Sequence, residues 1–332
     1  MFPFDFGAVM TIFDFLSLIG GISLFIFGMQ TMSNALEKRA GEKLKPLLSK
    51  MTSHPLKGFL LGVGVTAVMQ SSTATTVMAV SFVGSGIMSL QQTIPVIMGA
   101  NLGTTVTAWI LSLSGIKSDS FIAMLFKPDT FVPVIALIGT ILLLFSKKSE
   151  KKDVAQILLG FSVLMTGMSA MSQAVSGLKD VPQFAKALTL FKNPILGVML
   201  GALITAIIQS SSASIGILQA LCSTGTVTLG ATIPIVMGQN IGTTVTAMLS
   251  SLGANKSAKS AAFVHLYFNV IGTLVLLVAF YVGDIFIGFS FKNAAANSAD
   301  VALIHTVFNL LCTLIWLPFT RLLEKLALKT VK

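Results

Sequence analysis

An all-α polytopic membrane protein is what this sequence predicts, built from two inverted-topology repeats that each hold a re-entrant helical hairpin and a broken transmembrane helix. Three observations carry the prediction. Hydrophobic residues fill 54% of the 332 positions and charged residues only 10%, against about 25% charged in a soluble chain, so lipid is the solvent such a surface suits. A long segment recurs at an offset of 139 residues. Each copy contributes an odd number of crossings, so the second copy must enter the membrane inverted.

The elements follow in order. Ile12–Leu36 is the first apolar stretch, with Asp14 its one acid. Asp5 and Asp14 stand where a signal peptide carries basic residues, and no small-residue cleavage site is clear, so the stretch reads as a retained crossing. From Pro55 to Leu90 the chain stays apolar for 36 residues, too many for one crossing at about 1.5 Å per residue. Gln70-Ser71-Ser72 falls near its middle, and serine favours caps and turns over helix interiors. The economical reading is a hairpin that enters, turns at mid-membrane and returns. Thr93–Leu113 has single-crossing length, but Asn101-Leu102-Gly103-Thr104-Thr105 reads as a local unwinding with a threonine capping the next half-helix. Such a break survives at depth only where protein or a wet cavity satisfies the backbone. Phe131–Phe145 crosses again. Val154–Val175, Ala261–Val282 and Val301–Phe319 supply further crossings, for seven in all. The organisation is then a first repeat over 1–146 (core 21–115), a second repeat plus C-terminal helices over 154–320 (core 160–254), and a cytoplasmic tail over 321–332.

The repeat is plain at residue level. Thr93–Ala108 and Thr232–Ala247 share twelve of 16 residues, and the same offset carries Gln70-Ser71-Ser72 onto Gln209-Ser210-Ser211, Pro55 onto Pro194 and Gly28-Met29 onto Gly167-Met168. A shorter echo places His265-x-x-Phe268-Asn269 and His305-x-x-Phe308-Asn309 in the last two apolar segments. Polar glue between membrane helices and a supporting role near a binding site both fit that echo.

The net charge of +10 reads as loop anchors rather than a nucleic-acid surface. One side of the predicted topology collects 16 of the 22 basic residues, among them Lys38, Arg39, Lys147, Lys148, Lys256 and Arg321. By the positive-inside rule that side is cytoplasmic, which puts the C-terminus inside and the protein in the inner (plasma) membrane. Cys222 and Cys312 lie in apolar runs and read as packing residues. No acid–base pair, Walker loop or metal-ligand cluster is present, so the chain does not read as an enzyme. A homodimer is left open.

Inverted repeats with interrupted helices place a site at mid-membrane between the halves. No Asp, Glu, Lys, Arg or His occurs from Gly58 to Ile116 or from Asn193 to Asn255. A ligand there meets hydroxyls, amides and helix ends only. Half-helices starting near Ser71, Ser72, Thr73 and near Ser210, Ser211, Ser212 aim free N–H groups at the centre, an anion site to which Asn101 and Asn240 can add. Gln70, Thr75, Asn101, Thr104 and Thr105, with Gln209, Ser214, Asn240, Thr243 and Thr244, offer oxygens suited to a small hard cation. A buried anion needs compensating charge, and with no carboxylate in these two spans to relay protons, sodium is the expected coupling ion.

The paired Gln-Ser-Ser runs, each followed by Asn-x-Gly-Thr-Thr, resemble the type II sodium–phosphate cotransporter family over residues 18–320. The resemblance implies sodium-driven phosphate uptake by alternating access, with both motifs lining the phosphate and sodium sites, sodium as the co-transported ion and no organic cofactor. Only Ser146–Asp153 joins the halves, as in a minimal bacterial member. The first repeat has Phe126-Lys127-Pro128-Asp129 where a His-x-x-Phe-Asn element would match, so a symmetric role for His265, Asn269, His305 and Asn309 does not follow. A sodium-coupled carrier of sulfate, arsenate or a carboxylate, or an anion channel, fits the same residues.

Overall fold

The computed structural model describes residues 12–50, 54–115, 127–177 and 193–331. Lys117, Lys179, Lys186 and Lys192, which the predicted topology puts on the side opposite the 16 basic residues, lie outside the described residues. Among them the chain is helical and forms no named strand. The helices are α1 Ile12–Lys50, α2 Pro55–Met69, α3 Ser72–Gly84, α4 Leu90–Ser112, α5 Pro128–Phe145, α6 Ser149–Val175, α7 Pro194–Ile208, α8 Ser211–Cys222, α9 Leu229–Ser250, α10 Lys256–Ile287, α11 Ser298–Trp316 and α12 Thr320–Thr330. The series α1–α4 recurs as α6–α9 at the spacing of the sequence repeat.

Among the described residues, six segments are long and apolar enough to cross a bilayer: Ile12–Ala40, Leu90–Gly115, Pro128–Phe145, Ser149–Val175, Lys256–Ile287 and Ser298–Thr330. The sequence leads to seven crossings, and the difference is α9. It has the length of its counterpart α4 but carries Gln239 where α4 has Ala100, which lowers its apolarity. The chain is a multi-pass membrane protein.

The apolar run from Pro55 splits as expected into two short helices. α2 has 15 residues and α3 has 13, about 22 and 20 Å at 1.5 Å per residue, each short of a hydrocarbon core of about 30 Å. Helices α7 and α8 repeat this pattern with 15 and 12 residues. By contrast, α4 and α9 run unbroken through Asn101–Thr105 and Asn240–Thr244, so the expected broken transmembrane helix is corrected to a continuous one. The reason is local. Asn101 donates to the Ile97 carbonyl (2.8 Å), Thr104 to Ala100 (3.0 Å) and Thr105 to Leu102 (2.7 Å), so these polar side chains bond back onto their own helix. Gly103 serves close approach, not unwinding: a Cβ there would lie 2.7 Å from the Val63 carbonyl oxygen of α2.

Helices α1 and α6 make the most intimate contact. They run antiparallel: Gly21 lies against Met171, Gly28 against Gly160 and Leu164, and Lys38 pairs with Asp153 at 2.6 Å. The contact is also reciprocal. A Cβ on Gly28 would meet the Leu164 backbone and sit 2.6 Å from the Gly160 oxygen; one on Gly167 would meet the Phe25 backbone and sit 2.7 Å from the Gly21 oxygen. Gly21, Phe25 and Gly28 are the repeat counterparts of Gly160, Leu164 and Gly167. Small residues are what lets helix backbones approach this closely in lipid. Phe25, Leu164, Met165, Met168 and Met171 fill the seam on either side, each at most 1% exposed.

Bulk at the crossing is therefore costly. Gly28→Val and Gly167→Val should each lower the apparent melting temperature of the purified protein in detergent, since overpacking costs about 1–3 kcal/mol. Gly64→Ala, at a position with nothing within 4 Å, should leave it unchanged. Equal melting of all three would show that the seam does not hold the halves together.

Candidate functional site

The chain turns between α2 and α3 at Gln70, and between α7 and α8 at Gln209. Both glutamines are left-handed, with φ 54° and 57°, and they are the only non-glycine residues with positive φ among those described. Such a conformation costs an L-residue about 1–2 kcal/mol, and glycine would adopt it freely. Keeping a carboxamide at a glycine position points to a use for the side chain. Each helix that follows is capped alike. Ser71 (φ −145°) accepts the Ala74 N–H at 3.1 Å, and Ser210 (φ −145°) accepts that of Ala213 at 3.2 Å. In each tip the first two helical N–H groups, of Ser72 and Thr73 and of Ser211 and Ser212, precede any carbonyl they could reach within the helix.

The two tips line one cavity of about 400 Å³. Gln70, Ser71, Ser72 and Thr73 enter it from one hairpin, and Gln209, Ser210, Ser211 and Ser212 from the other. Of the predicted site residues, these eight are brought together. The wall also holds residues that the sequence reading missed: Thr246 of α9, and Ile26, Met29, Gln30, Ser33, Asn34 and Glu37 of α1. A signal for them existed. Gln30, Ser33, Asn34 and Glu37 follow i, i+3, i+4, i+7 spacing on one face of an otherwise apolar helix.

The remaining candidates line no part of this cavity. The Asn101 carboxamide oxygen meets His265 Nε2 at 3.3 Å and the Asn269 amide at 3.4 Å. Asn240 meets His305 Nε2 at 3.3 Å and donates to Val236 at 2.9 Å. The echoed histidines thus serve one repeat each, His265 from α10 and His305 from α11, and the missing third copy leaves no gap. Asn309 donates to the His305 carbonyl at 2.8 Å. Thr75 donates to the Ser71 carbonyl (3.1 Å) and accepts from Thr66 (3.0 Å), and Ser214 accepts from Gln239 (2.9 Å). Thr243 and Thr244 bond back to Gln239 and Ile241. All of these are buried.

The two tips share a backbone but differ in their side chains. The Gln70 carboxamide is docked: Nε2 donates to Ala67 (2.5 Å), and Oε1 accepts from Thr107 (3.0 Å). Gln209 is exposed, and the hydroxyl of Thr246, the counterpart of Thr107, is buried without a partner. Ser210 instead reaches the Met29 sulfur of α1 at 3.8 Å.

Chemically, the cavity offers serine hydroxyls, glutamine oxygens and two sets of free helix N–H groups. Two converging helix N-termini make an anion-binding environment. Among the described residues no group of three His, Cys, Asp or Glu side chains could hold a metal ion.

The profile of one protein family, described as Na+/Pi-cotransporter, matches residues 24–173 and 177–295. The Bacillus subtilis protein "Uncharacterized protein YqeW" is 31% identical over 306 residues, 92% of this chain and 94% of that one. The Escherichia coli "Putative inorganic phosphate export protein YjbB" is 26% identical over 307 residues, and the match spans 92% of this chain but 53% of that protein's length. The human "Sodium-dependent phosphate transport protein 2B" is 33% identical over 178 residues, 49% of this chain and 24% of that one. No solved structure matches.

The cavity makes a labelling prediction. Cysteines placed at Ser71 and Ser210 should react with a small hydrophilic thiol reagent, and one placed at Asn101 should not. The native Cys222 and Cys312 are buried and give a low background. Equal reactivity at all three positions would show that the tips do not share a wet cavity separate from the His–Asn contacts.

Proposed function

The chain belongs to the Na+/Pi-cotransporter family, and from that premise we propose that it is a sodium-coupled carrier that imports inorganic phosphate by alternating access. The observation that carries the reading is the single cavity lined by both Gln-Ser-Ser tips. Phosphate sits between the free N–H groups of Ser72 and Thr73 and those of Ser211 and Ser212, with the Ser71 and Ser210 hydroxyls donating their remaining hydrogens. No cation lines the cavity among the described residues, so co-bound sodium offsets the anion's charge, and the Gln70 and Gln209 oxygens are its ligands at the tips. The buried set Thr75, Asn101, Thr104, Thr105, Ser214, Asn240, Thr243 and Thr244 supplies sodium oxygens only when a different state frees them from their present bonds.

In this reading the halves are inverted in the membrane. Antiparallel, reciprocal packing of α1 on α6 supports that, because a two-fold axis perpendicular to two membrane-spanning helices lies near the membrane plane. Lys147 and Lys148 between α5 and α6, with Lys151 and Lys152 at the start of α6, mark the cytoplasmic side, the membrane is the inner (plasma) membrane, and the C-terminus lies inside. Export is the second reading, favoured by the name of the E. coli relative. Symport runs whichever way the combined gradients drive it, and an inward sodium gradient drives uptake.

Calorimetry should find phosphate binding in sodium and none in potassium; tight binding in potassium alone overturns the co-bound-cation argument. Ser71→Ala and Ser210→Ala should each weaken phosphate binding about ten- to a hundredfold, the loss of one charged hydrogen bond at about 1.5–3 kcal/mol. Serine-to-threonine changes, which keep cap and hydroxyl, should lose far less. Gln70→Ala and Gln209→Ala should show a phosphate defect that shrinks as sodium rises, while the serine defect persists at saturating sodium. Identical sodium titrations for the two classes would refute the division of labour.

A further inference from the structure

The cavity wall contributed by α1 is not matched by the other half. Glu37 is the one ionisable side chain lining the cavity among the described residues. Its repeat counterpart is Ser176, the residue just past the end of α6, and α6 gives the cavity no lining residue at all. Glu37 ends a polar series with Gln30, Ser33 and Asn34 on the face of α1 that looks into the cavity, whereas large exposed side chains nearer the helix start are apolar, Phe13, Phe15, Leu16 and Phe27 among them. The series therefore marks a wetted path from the tips toward the Lys38 end of α1.

The two cations that follow Glu37 in sequence pair with other groups. Lys38 is held by Asp153 at 2.6 Å, and Arg39 donates to the Glu150 carbonyl at 3.1 Å. Glu37 makes no ion pair among the described residues and is exposed. A carboxylate in the mouth of a cleft with low-dielectric walls enriches cations there and repels free anions. A charge at Glu37 with no ionisable side chain at the counterpart position Ser176 makes the two faces of a pseudo-symmetric carrier unequal.

We infer that Glu37 recruits the coupling cation at one face of the carrier, so that on this face sodium enters ahead of the anion and its apparent affinity is higher than on the other. The inference rests on the sodium-coupled reading above, and adds to it a residue and a sidedness. Glu37 is a recruiting group at the mouth, and the tips remain the place where cargo is held.

The test uses the full chain in right-side-out and inverted membrane vesicles, with phosphate flux followed as sodium is varied on the entry side. In Glu37→Gln the half-saturating sodium concentration should rise about two- to fivefold in one orientation, the range expected of a solvent-exposed charge interaction, and stay at the wild-type value in the other. Glu37→Asp should restore it, and Glu37→Lys should raise it further. Phosphate affinity at saturating sodium should be unchanged in Glu37→Asp and no weaker in Glu37→Gln and Glu37→Lys. An equal shift in both orientations, or none in either, overturns the inference while leaving sodium-coupled transport standing. Wild-type vesicles that move phosphate without sodium overturn both.

Discussion

The crossing of α1 and α6 is the constraint from which the architecture follows. Lipid gives helices no hydrophobic reason to associate, so the halves must hold each other by close packing, and here the backbones touch at Gly28 on Gly160 and at Gly167 on Gly21. The reciprocity of that contact fixes how the repeats face each other. Within each repeat a second glycine approach hangs the hairpin on its long helix: Gly62 of α2 packs on the Val96 carbonyl of α4, and Gly201 of α7 on the Ile235 carbonyl of α9. Residues 62 and 201, like 96 and 235, are repeat counterparts. Once both attachments are set, the two tips have little freedom, and they converge on one cavity.

The electrostatic design follows from what the interior leaves out. Long stretches of both repeats carry no ionisable residue. Fixed charge buried in lipid is expensive and tends to be paired, and a permanently paired site would hold its ion too well to release it. Helix N-termini give directional, moderate attraction without a counter-charge that must be neutralised when the site is empty. Asn101 completes its bonds within the protein, with Ile97, His265 and Asn269, whereas the Thr246 hydroxyl in the cavity wall has no partner.

Much of this was legible in the sequence, and the failures have physical causes. The duplication, the split of the Pro55 run at Gln70 and its echo at Gln209 were readable because serine caps and a helix-length mismatch leave a local signature. The Asn-x-Gly-Thr-Thr run misled, because the same residues that unwind a helix can also bond back along it, and only the neighbouring helix shows that Gly103 makes room for α2. Polar lining on α1 was missed because its four residues are spread over two turns of a helix that otherwise reads as plain lipid-facing apolar. The histidine echo looked asymmetric along the chain and is symmetric in space, since His265 and His305 reach Asn101 and Asn240 from two successive helices, a pairing that no spacing rule reveals.

The matched backbones of the two tips carry a consequence for the working cycle. Gln70 and Gln209 differ by 3° in φ, and the capping serines share one value, yet one carboxamide is docked and the other is loose. Whatever rearrangement exchanges those two side-chain states need not melt or wind a turn of helix, because the strained turn exists on both sides already. In the alternating access proposed above, the motion then reduces to swinging rigid pieces and turning a few rotamers, so that its end states can lie close in energy. A machine balanced in this way keeps no preferred direction in its backbone and leaves the choice to the concentrations on either side.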